Sequence, residues 1–199
     1  MEKLPNLSIE NSYPGKIIAG IDEAGRGPLV GPVVAAAVIL DTNNIPQGIN
    51  DSKKLTAKKR ELLFAEIIQN HSYGIGQANL YEIEEYNILG ATKLAMIRSF
   101  NKLPIKPDIA LVDGNLTPEL DCESHPIIKG DSLSLSIAAA SIIAKVTRDR
   151  ILHELAKIHP EYGWEKNSGY GTKKHIEALH KFGVTQYHRK SFAPVKDLV

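Results

Sequence analysis

Two apolar runs separated by an acidic pair and a glycine-rich loop constrain the fold of this chain more than any other stretch. Ile17 to Ile21 leads into Asp22 and Glu23, Gly25-Arg-Gly-Pro28 follows, and a second apolar run extends from Val30 to Leu40. Short apolar runs bounded by breakers read as buried strands. The expectation is a strand over Lys16–Asp22, a second over Val30–Leu40, and antiparallel pairing between them. Gly and Pro stop regular structure between the two. Adjacent carboxylates at the rim of a buried sheet repel unless a cation sits between them. The stretch therefore suggests a metal site facing a phosphate; a solvated turn followed by a tight loop is the plainer alternative. Gly20 to Gly27 resembles a phosphate-binding loop but ends in Gly-Arg-Gly, with acids where backbone amides should cradle phosphate. Nucleotide cradling without a metal is thereby excluded.

The rest of the chain alternates strand and helix patterns. A helix is expected over Thr56–Gln69 with Thr56 as its cap, then a strand over Tyr73–Leu80 weakened by its glycines. A long amphipathic helix, Tyr81–Leu103, ends at Pro104 and Pro107. Asp108–Asp113 and Pro126–Asp131 read as short strands, each ending in a carboxylate. Leu133–Ile158 reads as a long helix capped by Asp131 or Ser132. An irregular aromatic segment, Tyr162–Gly171, precedes a short helix over Thr172–Phe182 and a tail over Gly183–Val199. This order implies an α/β domain around one mixed sheet. We divide it into a loose lead-in (1–15), a catalytic core (16–151) and a C-terminal helical extension packed on the core (152–199).

Composition narrows the function classes. Among 199 residues, 43% hydrophobic and 24% charged, Cys122 is the single cysteine, which excludes an internal disulfide and a cysteine-based zinc site. That fits a reducing cytosol. No basic-then-apolar leader is read at the start, and Gly31 and Pro32 break the longest apolar run before bilayer length. A cytoplasmic protein without a membrane partner is expected. Residues 145–199 hold 11 Lys+Arg against 6 Asp+Glu, and the preceding residues 13 against 17. Such a chain can hold cations in front and grip an anion behind, although a basic terminal helix pair would look the same.

Three predicted strands thus end in acids: Asp22 with Glu23, Asp113, and Asp131. Sites in α/β sheets form where adjacent strands end. Four converging carboxylates need cations, and hard oxygen ligands select Mg²⁺ or Mn²⁺ over zinc. Two such ions about 4 Å apart can support phosphodiester hydrolysis. Singly, Asp113-Gly114 also suits a turn and Asp131 a helix cap. On the long helix, Ser134, Ala138, Ser141, Lys145 and Arg148 share a face along which a nucleic-acid backbone could lie, or which could be an ordinary solvated stripe.

Several motifs resemble the bacterial ribonuclease HII family. They are Asp22-Glu-Ala-Gly-Arg-Gly27, Asn50-Asp-Ser-Lys-Lys-Leu55, Asp113-Gly114, Lys129-Gly-Asp-Ser132, Ser136 to Asp149, Gly169-Tyr-Gly-Thr172 and Gly183 to Phe192. The resemblance implies a ribonuclease H-like mixed β-sheet flanked by helices, with a C-terminal helical extension. It implies an endonuclease that hydrolyses the RNA strand of RNA/DNA hybrids and incises 5′ of single ribonucleotides in duplex DNA, leaving 3′-OH and 5′-phosphate ends. Asp22, Glu23, Asp113 and Asp131 match the family's catalytic, metal-holding carboxylates for two Mn²⁺ or Mg²⁺ ions. Gly25, Arg26 and Gly27 match the loop that reads the ribose 2′-hydroxyl, and Tyr170 the tyrosine that stacks at the RNA–DNA junction. Ser52, Lys53, Lys145 and Arg148 match positions near phosphates. The partner implied is nucleic acid, bound by a monomer. Asn50 and Ser168 depart from the family, which often has Gly and Lys there; the second departure removes a cation beside Tyr170. The rivals are a ribonuclease H-like DNA nuclease or resolvase without ribose preference, and a non-catalytic nucleic-acid-binding module.

Overall fold

The computed structural model describes residues 4–199. Five strands form one sheet: β1 (Ile18–Ala24), β2 (Val33–Ile39), β3 (Ser72–Ala78), β4 (Ile109–Asp113) and β5 (Glu123–Ile127), in the order β3-β2-β1-β4-β5. β1 pairs antiparallel with β2, as expected, and β2 with β3, whereas β4 runs parallel to both β1 and β5. The sheet is therefore mixed. Its helices are α1 (Ala57–Asn70), α2 (Leu80–Asn101), α3 (Leu135–Ile158), α4 (Trp164–Asn167) and α5 (Lys173–Phe182).

The core has two layers because β2 is apolar at every position, the pattern of a strand covered on both faces. Its Ala36 and Val38 face α3 and α1, against Leu63, Ile67, Ile142 and Ile143. Its Val33, Ala35 and Ala37 face α2, against Ala91, Ala95 and Phe100. The glycines of β3 are a packing device rather than a weakness. A Cβ at Gly76 would stand 2.0 Å from the carbonyl oxygen of Ala95, so α2 sits closer to the sheet than a side chain would permit.

Helix boundaries follow capping chemistry. Thr56 accepts from the Lys59 amide at the start of α1, as expected, and Asn79 forms a reciprocal capping box with Glu82 at the start of α2. At Asn87, with φ 56°, α2 breaks, a kink that its apolar period did not reveal. The fifth strand lies upstream of the expected Pro126–Asp131: β5 ends at Ile127, and Asp131 belongs to a 3-10 turn, Gly130–Ser132. That turn consumes the residues expected to cap α3. Ser134 caps it instead, accepting from the Ile137 amide.

Residues 4–13 are fastened to the start of α3, in contrast to the loose lead-in expected; Met1, Glu2 and Lys3 lie outside the described residues. Asn6 exchanges backbone hydrogen bonds with Leu133 and Leu135. The buried Glu10 carboxylate accepts from the Ser134 hydroxyl and from the Ser136 amide and hydroxyl. At the other end, α3 runs through the boundary expected at 151/152. Its Leu152 and Ala156 form a third apolar cluster with Leu29, Val30, Tyr162, Trp164, Leu179 and Val195, which seats the C-terminal segment on the core.

Candidate active site

Pairing register brings the acids together. In the β1–β4 ladder Ile21 stands opposite Val112, so Asp22 and Asp113 are the next residues of neighbouring parallel strands. Asp131 arrives by a different route. The Gly130 amide donates to Asp113 Oδ1 at 2.7 Å and holds the 3-10 turn against β4. Carboxylate oxygens of Asp22, Asp113 and Asp131 consequently lie within 4.8 Å of one another. Glu23 is outside that trio and accepts from Arg26 Nη1 at 3.3 Å.

The trio is electrostatically uncomfortable. Burial, then the charges of Glu23, Asp113 and Asp131, push the Asp22 carboxyl well above its usual range, against a hydrogen bond from the Glu23 amide. Burial, Asp113 and Asp51 raise Asp131. Burial also raises Glu23, with Arg26 opposing. Lys53 reaches Asp131 Oδ2 at 3.5 Å. Desolvation works to lower its pKa, but Asp131, Asp22 and Asp51 outweigh it and hold the ammonium above its ordinary value. A cluster of three carboxylates, two of them buried, is a set of hard oxygen donors that suits a divalent cation.

The Gly25–Gly27 loop is built from behind by two buried arginines. Arg189 donates to the carbonyls of Gly25, Arg26 and Gly31. Arg148 donates to those of Val30, Pro32 and Ser168. Desolvation lowers both guanidinium pKa values, Arg148 to about 10 and Arg189 to about 9. Arg148, expected near phosphates, is 1% exposed and committed to three carbonyls. The helix face expected along a nucleic-acid backbone is thus mostly interior: Ser134, Ala138 and Ser141 are buried as well. Ser141 Oγ accepts from the amide of the buried Ser52.

A cleft of about 430 Å³ joins Asp22, Glu23 and Gly25–Gly27 to Ser52, Lys53, Lys145, Arg148 and Tyr170. Tyr170 is half exposed, and a Cβ on Gly27 would lie 3.4 Å from its ring. Lys145 pairs with Asp149 at 2.6 Å and reaches Ser168 Oγ at 3.5 Å. Two arginines escaped sequence reasoning. Arg60 also lines the cleft and props the Ser52 loop by donating to the carbonyls of Ser52 and Leu55. Arg189 lies in a motif that carried the family resemblance, but nothing local assigns it to a loop 163 positions away.

The ribonuclease HII family model matches residues 19–195. The chain belongs to the ribonuclease HII family. A ribonuclease HII of Rickettsia bellii (strain OSU 85-389) is 58% identical over 186 residues, which cover 94% of each chain. Among solved structures, the ribonuclease H2 of Pyrococcus horikoshii OT3 superposes with a TM-score of 0.75 at 29% identity, covering 91% of this chain and 96% of that one. Bst-RNase HIII in complex with Mn²⁺ superposes with a TM-score of 0.72 at 21% identity, covering 92% of this chain and 68% of that one, a likeness of fold. The sheet is thus the ribonuclease H-like sheet, and the protein is a ribonuclease H, a hydrolase of the endonuclease class. Among the described residues no helix is long and apolar enough to cross a membrane.

Proposed function

We propose that this ribonuclease HII cuts the RNA strand of RNA/DNA hybrids and incises 5′ of single ribonucleotides in duplex DNA, leaving 3′-OH and 5′-phosphate ends. One observation carries the reading: the Asp22–Asp113–Asp131 trio opens beside a pinned glycine loop and an exposed tyrosine. The trio supports hydrolysis, and the loop with Tyr170 supports a test for ribose.

Asp22, Asp113 and Asp131, with Glu23 beside them, would hold two Mg²⁺ or Mn²⁺ ions. Bound there, divalent ions supply a hydroxide nucleophile and neutralise developing phosphate charge. The chain's own groups do the rest. The Gly25–Gly27 backbone approaches the ribose closely enough to sense the 2′-hydroxyl, the atom that separates RNA from DNA. Tyr170 offers a stacking face to the sugar and base at the junction. Lys53, Lys145 and the Ser52 loop lie where flanking phosphates would run.

A gel assay tests this. Cleavage of a duplex carrying one ribonucleotide, dependent on Mg²⁺ or Mn²⁺ and absent from the all-DNA duplex, is expected. Equal cutting of both duplexes would replace the reading with a nuclease lacking ribose preference. No cutting with either ion would leave only a binding module.

A further inference from the structure

Behind Tyr170 lies a buried polar chain whose proton positions follow from its partners. His175 and His188 are 0% and 1% exposed, and their Nε2 atoms stand 3.2 Å apart. His175 Nδ1 lies 2.9 Å from the carbonyl oxygen of Tyr170. A carbonyl only accepts, so His175 carries its proton on Nδ1. Its Nε2 is then an acceptor, and it takes the Trp164 indole N–H at 3.0 Å. His188 Nδ1 accepts from the Thr185 amide at 3.0 Å. His188 is therefore protonated on Nε2 and donates to His175. With both rings neutral, the Trp164 and His188 donors share the single Nε2 lone pair of His175. The chain runs in one direction, from Thr185 through His188 and His175 to Tyr170.

The end of that chain is mechanically placed. The Tyr170 carbonyl also accepts from the Thr172 amide at 2.8 Å, and the Gly169 carbonyl from Leu29 at 2.8 Å. Two bonds at one carbonyl set the peptide plane after Tyr170, and so the aim of its ring toward Gly27. Tyr170 itself is half exposed, while its amide donates to Asn167 and the carbonyls of Gly169 and Tyr170 are both engaged. Its backbone therefore anchors the ring.

We propose that His175, held in one tautomer by His188, is a positioning residue for Tyr170 and thereby for ribonucleotide-selective cleavage. This rests on the reading of Tyr170 as the junction residue.

Two substitutions separate positioning from simple core filling. His175→Asn places an amide N–H near the Nδ1 position, keeping the donor to Tyr170 and losing the acceptor for Trp164 and His188. His175→Gln does the reverse. Positioning predicts that His175→Gln loses about tenfold in kcat/KM on a duplex with one ribonucleotide, chiefly through KM, and that His175→Asn is rescued relative to it. It also predicts about tenfold faster amide hydrogen exchange at Thr172 in substrate-free His175→Gln. Wild-type exchange and KM in His175→Gln, or a greater loss in His175→Asn than in His175→Gln, would overturn the proposal. Should His175→Asn fail to fold, the two His175→Gln readouts still decide it. Tyr170→Ala separates the underlying reading: if it cuts like wild type, the junction role falls, while exchange in His175→Gln still reports on positioning.

Discussion

Gly25 and Arg148 occupy space that admits no third atom: a Cβ on Gly25 would stand 2.1 Å from Arg148 Nε, and the residue holds φ at +98°. The Gly25–Gly27 loop is shaped by the arginine behind it. Gly25→Ala should be strained by about 2 kcal/mol from its backbone alone, and must also displace a buried guanidinium. Cleavage should fall roughly a hundredfold, as expected when a reacting group shifts by about an ångström. Gly183→Ala is the control, with φ +83° and open space around the missing Cβ. It carries the same backbone strain, so it should lower the melting temperature by about 5 °C but leave cleavage intact. Equal effects of the two substitutions would show that the Arg148 contact is unimportant.

Arg148 and Lys145 lie one turn apart on α3 and should behave oppositely. Arg148→Met leaves three carbonyls without their donors and should cost about 3 kcal/mol in denaturant unfolding. It should leave the salt dependence of nucleic-acid binding unchanged, because the guanidinium is spent inside the protein. Lys145→Met should reduce the slope of log K against log salt by about 1 with little loss of stability. A reduced slope in Arg148→Met would return that residue to the phosphate role expected of it.

Asp113→Asn should abolish metal-dependent cleavage yet stabilise the metal-free protein. The amide keeps an oxygen for the Gly130 N–H while removing a charge that raises Asp22 and Asp131. The sign follows from linkage. A carboxyl whose folded pKa is raised contributes stability below its unfolded value, near 3.8, and loses it as pH rises through the folded value. The gain of Asp113→Asn over wild type should therefore be small near pH 4 and grow toward neutrality, by about 3 °C. Saturating Mg²⁺ should reverse the order, since an ion that binds only the folded state stabilises wild type. Thermal unfolding against pH, with and without Mg²⁺, measures both.

Glu10 should matter although it lies far from the cleft. Its carboxylate accepts from two hydroxyls and an amide at the start of α3. Glu10→Ala strands those donors and should cost about 2 kcal/mol, with Glu10→Gln costing less. An unchanged unfolding midpoint in Glu10→Ala would mean that residues 4–13 are only draped on the surface.

Much of this was legible because it is local. The apolar runs announced β1 and β2, Thr56 announced the start of α1, and Asp22, Glu23 and Asp113 follow the apolar runs that mark their strands. Asp131 joins the trio from a 3-10 turn and not from the strand end that the sequence suggests. A carboxylate after an apolar run reads as a strand end, and only the Gly130–Asp113 bond reveals the turn. Helical spacing places Arg148 beside Lys145 and so suggests a phosphate contact, yet the residue is buried. Spacing fixes the direction of a side chain but not what the tail packs over it.

The sequence by itself determined the elements, their pairing partners at short range and the inventory of acids, since each depends on residues within a few turns or one hairpin. The tertiary structure alone decided which cations face solvent and which are entombed. Arg189 meets the Gly25 carbonyl across 164 positions, and His175 meets His188 only after the tail has folded back. Burial turns a charge from a ligand for phosphate into a brace for carbonyls, because a desolvated guanidinium must find its acceptors inside the protein. For an arginine, burial is a property of the finished fold, with no local pattern to announce it.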